Sequence, residues 1–123
     1  MQPSQHEQWA DVERRIRDLA SGSVSVSADA IGNAVDLIKF AKARYWAPES
    51  VARGYWPTVC LGWPLARPMP IEIEISDSLY ELYRFGEGRT EIQHVEHVPG
   101  EPFPDKLAAV LDQSIRFEPD GQR

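Results

Sequence analysis

The stretch Ile71-Glu72-Ile73-Glu74-Ile75 decides the fold class of this chain. Strict alternation of isoleucine and glutamate is the period-two pattern of a strand with one face in a core and the other open. Its β-branched side chains suit a pleated, half-buried surface. On its C-terminal side Asp77-Ser78 turns the chain into Leu79–Phe85, although the pair lacks the glycine of the best two-residue turns. Gly86-Glu87-Gly88 forms a second turn that leads into Thr90–Val98. On its N-terminal side Pro64, Pro68 and Pro70 make a stiff loop with no room for a central strand. Before that loop the period is already two from Tyr55 onward: Val59, Leu61 and Trp63 alternate with Thr58, Cys60 and Gly62. These segments predict a four-stranded antiparallel meander.

Further out, the period changes to that of a helix. Ser4 and Glu7 fit a capping box, in which each side chain satisfies a backbone N–H that the helix start leaves over. Trp9, Val12, Ile16 and Leu19 then fall on one face, and Gly22 is a plausible stop. Ser23–Ser27 reads as a short extended linker, with Ser27 the N-cap of a second helix running to about Tyr45. Ile31, Val35, Ile38, Lys42 and Tyr45 mark its stripe, thickened by Ala34 and Ala41. Asp29 near its start and Lys39, Lys42 and Arg44 near its end complement the helix dipole, and Pro48 closes the segment. After Pro99 and Pro102, Pro104 opens a final helix whose buried stripe is Leu107, Val110, Leu111 and Ile115. The expected fold is α+β: two N-terminal helices, the four-stranded antiparallel meander and a C-terminal helix, with the helices on one face of the sheet. Residues 1–116 form one domain in this reading, and 117–123 a frayed tail.

Composition limits the function. A chain of 123 residues buries about two-thirds of its unfolded surface, enough for a core without disulfides or a structural metal. Thirteen Lys and Arg against nineteen Asp and Glu leave a net charge of −6, which speaks against nucleic acid as a partner. The charge is uneven: residues 1–70 carry eight basic and seven acidic side chains, residues 71–123 five and twelve. No apolar run approaches a membrane span. The N-terminus has neither the basic region nor the apolar stretch of a signal peptide. Cys60 is the only cysteine, so an intrachain disulfide and a cysteine zinc cluster are both excluded. A cytoplasmic protein without cofactor or metal is the expectation.

Three features could carry function. The first is His94-Val95-Glu96-His97, in which His94 and Glu96 share one face of a strand and His97 takes the other. If Gly86-Glu87-Gly88 is a three-residue loop, Leu82 faces Ile92 and Tyr80 faces His94, both on the core side. A four-residue loop slips the register by one and lines up Glu74, Glu81 and His94 on the opposite face. Such a row could raise one carboxylate pKa or bind a metal. The three-residue loop is preferred, because it matches Leu82 with Ile92 and lets Gly88 take the left-handed position. His94, Glu96 and Glu81 are thus minor catalytic candidates beside the plainer reading of sheet residues. A Cys60–His94 nucleophile pair can be drawn, but nothing local activates the thiol. The second feature is aromatic: Trp46, Trp56 and Trp63 lie close together in sequence, and most of them are expected to fill the junction of helix and sheet. Trp46 and Trp56 fall off the core stripes and are the preferred exposed contacts for a partner. The third is an acidic strand face of Glu72, Glu74 and Glu81, with Glu91 a further candidate. It is either a solvated surface or the dock for a basic partner.

Pro57-Thr58-Val59-Cys60-Leu61-Gly62-Trp63, lying between a long helix and the Ile71–Ile75 hairpin, resembles a segment of a group of small uncharacterised bacterial proteins. In that group a helix precedes a P-x-[apolar]-x-L-x-W strand and an I-E-I strand with an Asp-Gly turn. The resemblance covers residues 28–86 and departs at Asp77-Ser78 and in the proline-rich loop. It implies the fold and brings no activity with it. The expected function is therefore a non-enzymatic protein-interaction module of the antitoxin, immunity or adaptor kind, able to pair with a second copy through its first helix. The alternative is a small-molecule-binding domain or minor enzyme with a pocket between helix two and the sheet.

Overall fold

The computed structural model describes residues 4–21, 26–54 and 58–116. Two helices come first, α1 (Gln5–Ala20) and α2 (Ala28–Ala41). Five strands follow: β1 (Ser50–Arg53), β2 (Val59–Trp63), β3 (Ile71–Ile75), β4 (Leu79–Gly86) and β5 (Arg89–Glu96). Helix α3 (Asp105–Ser114) closes the described chain. The strands form one antiparallel sheet in sequence order, β1-β2-β3-β4-β5. The fold is α+β, as the alternation predicts, but the meander has five strands where four were expected. The added strand β1 pairs along β2, from Ser50–Gly62 to Arg53–Val59.

The inner face of the sheet carries Val59, Leu61, Ile71, Ile73, Ile75, Tyr80 and Leu82, all buried under the helices. Helix α1 starts on the expected capping box, with Glu7 N–H donating to Ser4 Oγ and Ser4 N–H to Glu7 Oε1. It buries Trp9, Val12 and Ile16, and Trp9 Nε1 donates to the carbonyl of Tyr45. Helix α2 has its N-cap at Ser27 but ends at Ala41, four residues before the expected Tyr45. Its buried side is also displaced from the predicted stripe, to Ala30, Asn33, Ala34, Leu37, Ile38 and Ala41, leaving Val35 exposed. Small side chains let a helix approach its neighbours closely, and a Cβ on Gly32 would lie 2.8 Å from Pro99 Cγ. Segment 22–25, which contains the first stop signal and most of the linker, and the tail 117–123 lie outside the described residues.

A buried polar knot joins α2 to the sheet. Asn33 Nδ2 donates to the carbonyls of Ser76 and His97, so its Oδ1 is the atom that accepts from His97 Nδ1 at 2.8 Å. Tyr80 Oη donates to the Asn33 carbonyl at 2.7 Å, and the Tyr80 ring stacks on His97. His97 is therefore core-facing and structural, on the opposite side of the strand from His94.

Candidate functional site

The β3–β4 turn is the expected Asp77-Ser78 pair, because Ile75 faces Tyr80, Glu74 faces Glu81 and Ile73 faces Leu82. The β4–β5 turn corrects the preferred register. Gly86 pairs with Arg89, so the loop is the two residues Glu87 and Gly88, with Gly88 in the left-handed region at φ 79°. Leu82 therefore faces Gln93, Tyr80 faces Val95, and Glu81 faces His94. A two-residue loop has the same parity as a four-residue one, so the row set aside in the three-residue reading is the one that forms. Across β2 to β5 it runs Cys60, Glu74, Glu81, His94. Beside it lies Gly62, Glu72, Tyr83, Ile92.

This is the outer face of the sheet, opposite the helices. Glu72, Glu74 and Glu81 are half-buried, while His94, Glu96 and Ile92 are exposed. Glu74 and Glu81 stand directly opposite one another, an arrangement that destabilises a sheet unless donors offset the repulsion. Those donors are present. Thr58 Oγ1 donates to Glu74 Oε2 at 2.6 Å. Glu81 receives Tyr83 Oη at 3.0 Å on Oε1 and lies 2.7 Å from His94 Nε2 through Oε2. Burial, then the neighbouring Glu74, pushes the Cys60 thiol from its ordinary 9.0 up to about 12. Partial burial and the hydrogen bond to Glu81 move the Tyr83 hydroxyl from 10.0 up to about 12. A thiol held protonated is a poor nucleophile, so the Cys60–His94 pair has no chemical basis.

Other candidates fall elsewhere. Glu96 shares a face with His94, as expected, but it is the outer face and not the core side of the preferred register; Glu96 stands next to Leu79. Glu91 is not part of the acidic face: it pairs with Arg84 and Arg89, each at 2.9 Å, at the rim of the inner side. Trp46 is not the exposed contact that was expected. It is half-buried against the core, and Trp63 Nε1 donates to its carbonyl at 2.8 Å. Trp56 lies outside the described residues. Phe85 and Ile92, missed in the sequence reading, are 40% and 56% exposed on the outer face. For Ile92 the signal was the alternation of β5, which the wrong loop length turned over; Phe85 follows from the alternation of β4, whose facing was as expected.

A cavity of about 260 Å³ lies at the opposite side of the molecule, among Gln5, Trp46, Glu49, Trp63, Leu65 and Ile115. It is not between α2 and the sheet, and neither His94 nor Glu96 lines it. Among the described residues no group of three or more His, Cys, Asp or Glu side chains is placed to hold a metal ion. Nor is any described helix long and apolar enough to cross a membrane. The chain matches no family model, no curated protein and no solved structure.

Proposed function

We propose that this chain is a non-enzymatic protein-interaction module that docks a basic partner on the outer face of its sheet. The observation that supports this most is the set of three carboxylates, Glu72, Glu74 and Glu81, on a face that no described helix covers and that ends in exposed Phe85 and Ile92. Carboxylates held by Thr58 and Tyr83 present charge at fixed positions, which favours specificity and fast encounter with a cationic surface. The apolar end supplies area of the kind that anchors such a contact. Antitoxin-, immunity- or adaptor-like roles fit this chemistry, and so does a cytoplasmic location.

The test is a paired pull-down with the wild-type chain and the variant Glu72→Lys, Glu74→Lys, Glu81→Lys, both checked for folding by circular dichroism. The reading predicts a basic protein that the wild type recovers, the variant loses and added salt releases. Equal recovery of every protein by both forms contradicts it.

A second reading, small-molecule binding, is favoured by the tryptophan-lined cavity beside Glu49. Its volume is close to the lower end for ligand pockets. Saturable quenching of tryptophan fluorescence by a small apolar compound, lost in Trp46→Ala, would support it.

A further inference from the structure

Among the described residues no strand pairs with the far edge of β5, which is eight residues long and regular. Its pairing with β4 runs without a break from Leu79–Glu96 to Gly86–Arg89, so no bulge turns the edge away. It holds neither proline nor lysine, two common means of blunting an edge. The hydrogen-bond parity fixes which backbone groups are free. His97 N–H donates to the carbonyl of Ser78 at 3.0 Å, so odd-numbered residues of β5 turn their backbone groups toward β4. The N–H and C=O of Thr90, Ile92, His94 and Glu96 therefore point outward from the sheet. Beyond them the ladder stops, because the Val98 N–H is already taken by Glu101 Oε1 at 2.9 Å. Ile92, 56% exposed, stands in the middle of this edge.

We infer that β5 pairs antiparallel with β5 of a second copy of this chain, with the two-fold axis at Ile92. Two sheets related by an axis normal to their plane keep their outer faces on the same side, so paired residues share parity. Centring on Ile92 sets Ile92 against the partner subunit's Ile92 and Thr90 against the partner subunit's His94. On the inner side it sets Gln93 against the partner subunit's Glu91. No like charges meet. The neighbouring registers are worse: an axis at Glu91 opposes two glutamates, one at His94 opposes two imidazoles, and one at Gln93 leaves Ile92 beside a histidine. The chosen register also continues the row Glu72, Tyr83, Ile92 across the axis into its own mirror sequence. The exposed isoleucine then has a neighbour on both sides. Helix α1 is not the dimer element, because its apolar stripe of Trp9, Val12 and Ile16 is spent in the core of its own chain.

Sedimentation of the full chain at physiological salt tests this directly. The expected result is a reversible dimer below about 100 µM that tightens with added salt, since screening relieves the repulsion between two chains of net charge −6. Docking of a basic partner on the face weakens with salt, so the two ideas fail separately. Ile92→Lys is expected to weaken the dimer by about tenfold or more, with circular dichroism unchanged. Thr90→Lys gives the same reading if the first variant folds poorly. Residues facing each other at such a pair lie about 5.5 Å apart, within disulfide reach. Ile92→Cys in a Cys60→Ser background should therefore oxidise to a covalent dimer, and Glu96→Cys in the same background should not. A monomer at every concentration, a dimer indifferent to both lysine variants, or equal cross-linking at both cysteines overturns the inference.

Discussion

Asn33 shows how much one side chain can hold in place. Its amide satisfies two carbonyls from separate stretches of chain and meets the ring of a buried histidine, while its own carbonyl receives Tyr80. Removing one partner of a buried hydrogen bond leaves the other desolvated and unpaired. Tyr80→Phe is expected to lower stability by about 1–3 kcal/mol, and Asn33→Ala by more, read as lower urea midpoints at constant slope. Cys60 gives a prediction of a different kind. With its pKa raised from 9.0 to about 12, the thiol gives up its proton more easily unfolded than folded. Its contribution to stability is therefore whole below pH 9 and is lost as the pH rises from 9 toward 12. Tyr83 adds a loss of the same sign above pH 10. The melting temperature should fall from about pH 9 upward, and in Cys60→Ser the fall should begin only near pH 10. Alkylation of the native thiol at pH 8 should be much slower than that of the urea-unfolded chain.

At the scale of elements, the β4–β5 turn sets every outward contact of the two strands it joins. Gly88 has φ 79°, so Gly88→Ala places a Cβ in the left-handed region and should cost about 1 kcal/mol in equilibrium unfolding. Ser4→Ala, which removes half of the α1 capping box, should cost about as much. The same turn marks the limit of what was legible. Alternation identified β3, β4 and β5, because period-two patterning is a property of each strand alone, and the two-residue length of the Asp77-Ser78 turn added the Glu74–Glu81 pair. Register across a turn depends on loop length, and glycines at both 86 and 88 admit two lengths of opposite parity. Matching Leu82 to Ile92 favoured the wrong one, since it assumed that an isoleucine belongs inside. Strand β1 left no signal: Ser50, Ala52 and Arg53 are exposed and only Val51 is half-buried, so no apolar face recurs. Trp46 was misplaced for a related reason. It follows the end of α2, where helical periodicity carries no information about what a side chain packs against.

For the whole molecule, part of the acidic excess of the second half of the sequence gathers on the open face of the sheet. Helices α1 and α2 hold four of the eight lysine and arginine residues of the first 70, beside six acidic ones, whereas the acidic excess of the remainder includes Glu72, Glu74 and Glu81 on the open face of the sheet. Two of the carboxylates there, Glu74 and Glu81, are tied to neighbours that orient them, and the one thiol of the face is held protonated. That arrangement is what the proposed recognition of a basic partner draws on. If the face is the dock, partner affinity should fall by about tenfold or more for each of Glu74→Lys and Glu81→Lys, and far less for Glu13→Lys on α1, by calorimetry at fixed salt. The most direct test of the central claim is amide chemical-shift mapping of the labelled chain as the recovered basic partner is titrated in. The account predicts perturbations concentrated on Cys60, Glu72, Glu74, Glu81, Tyr83 and Ile92, with the helices little changed. Perturbations centred on α1, α3 or the cavity between Trp46 and Trp63, with those strand residues unmoved, would contradict it.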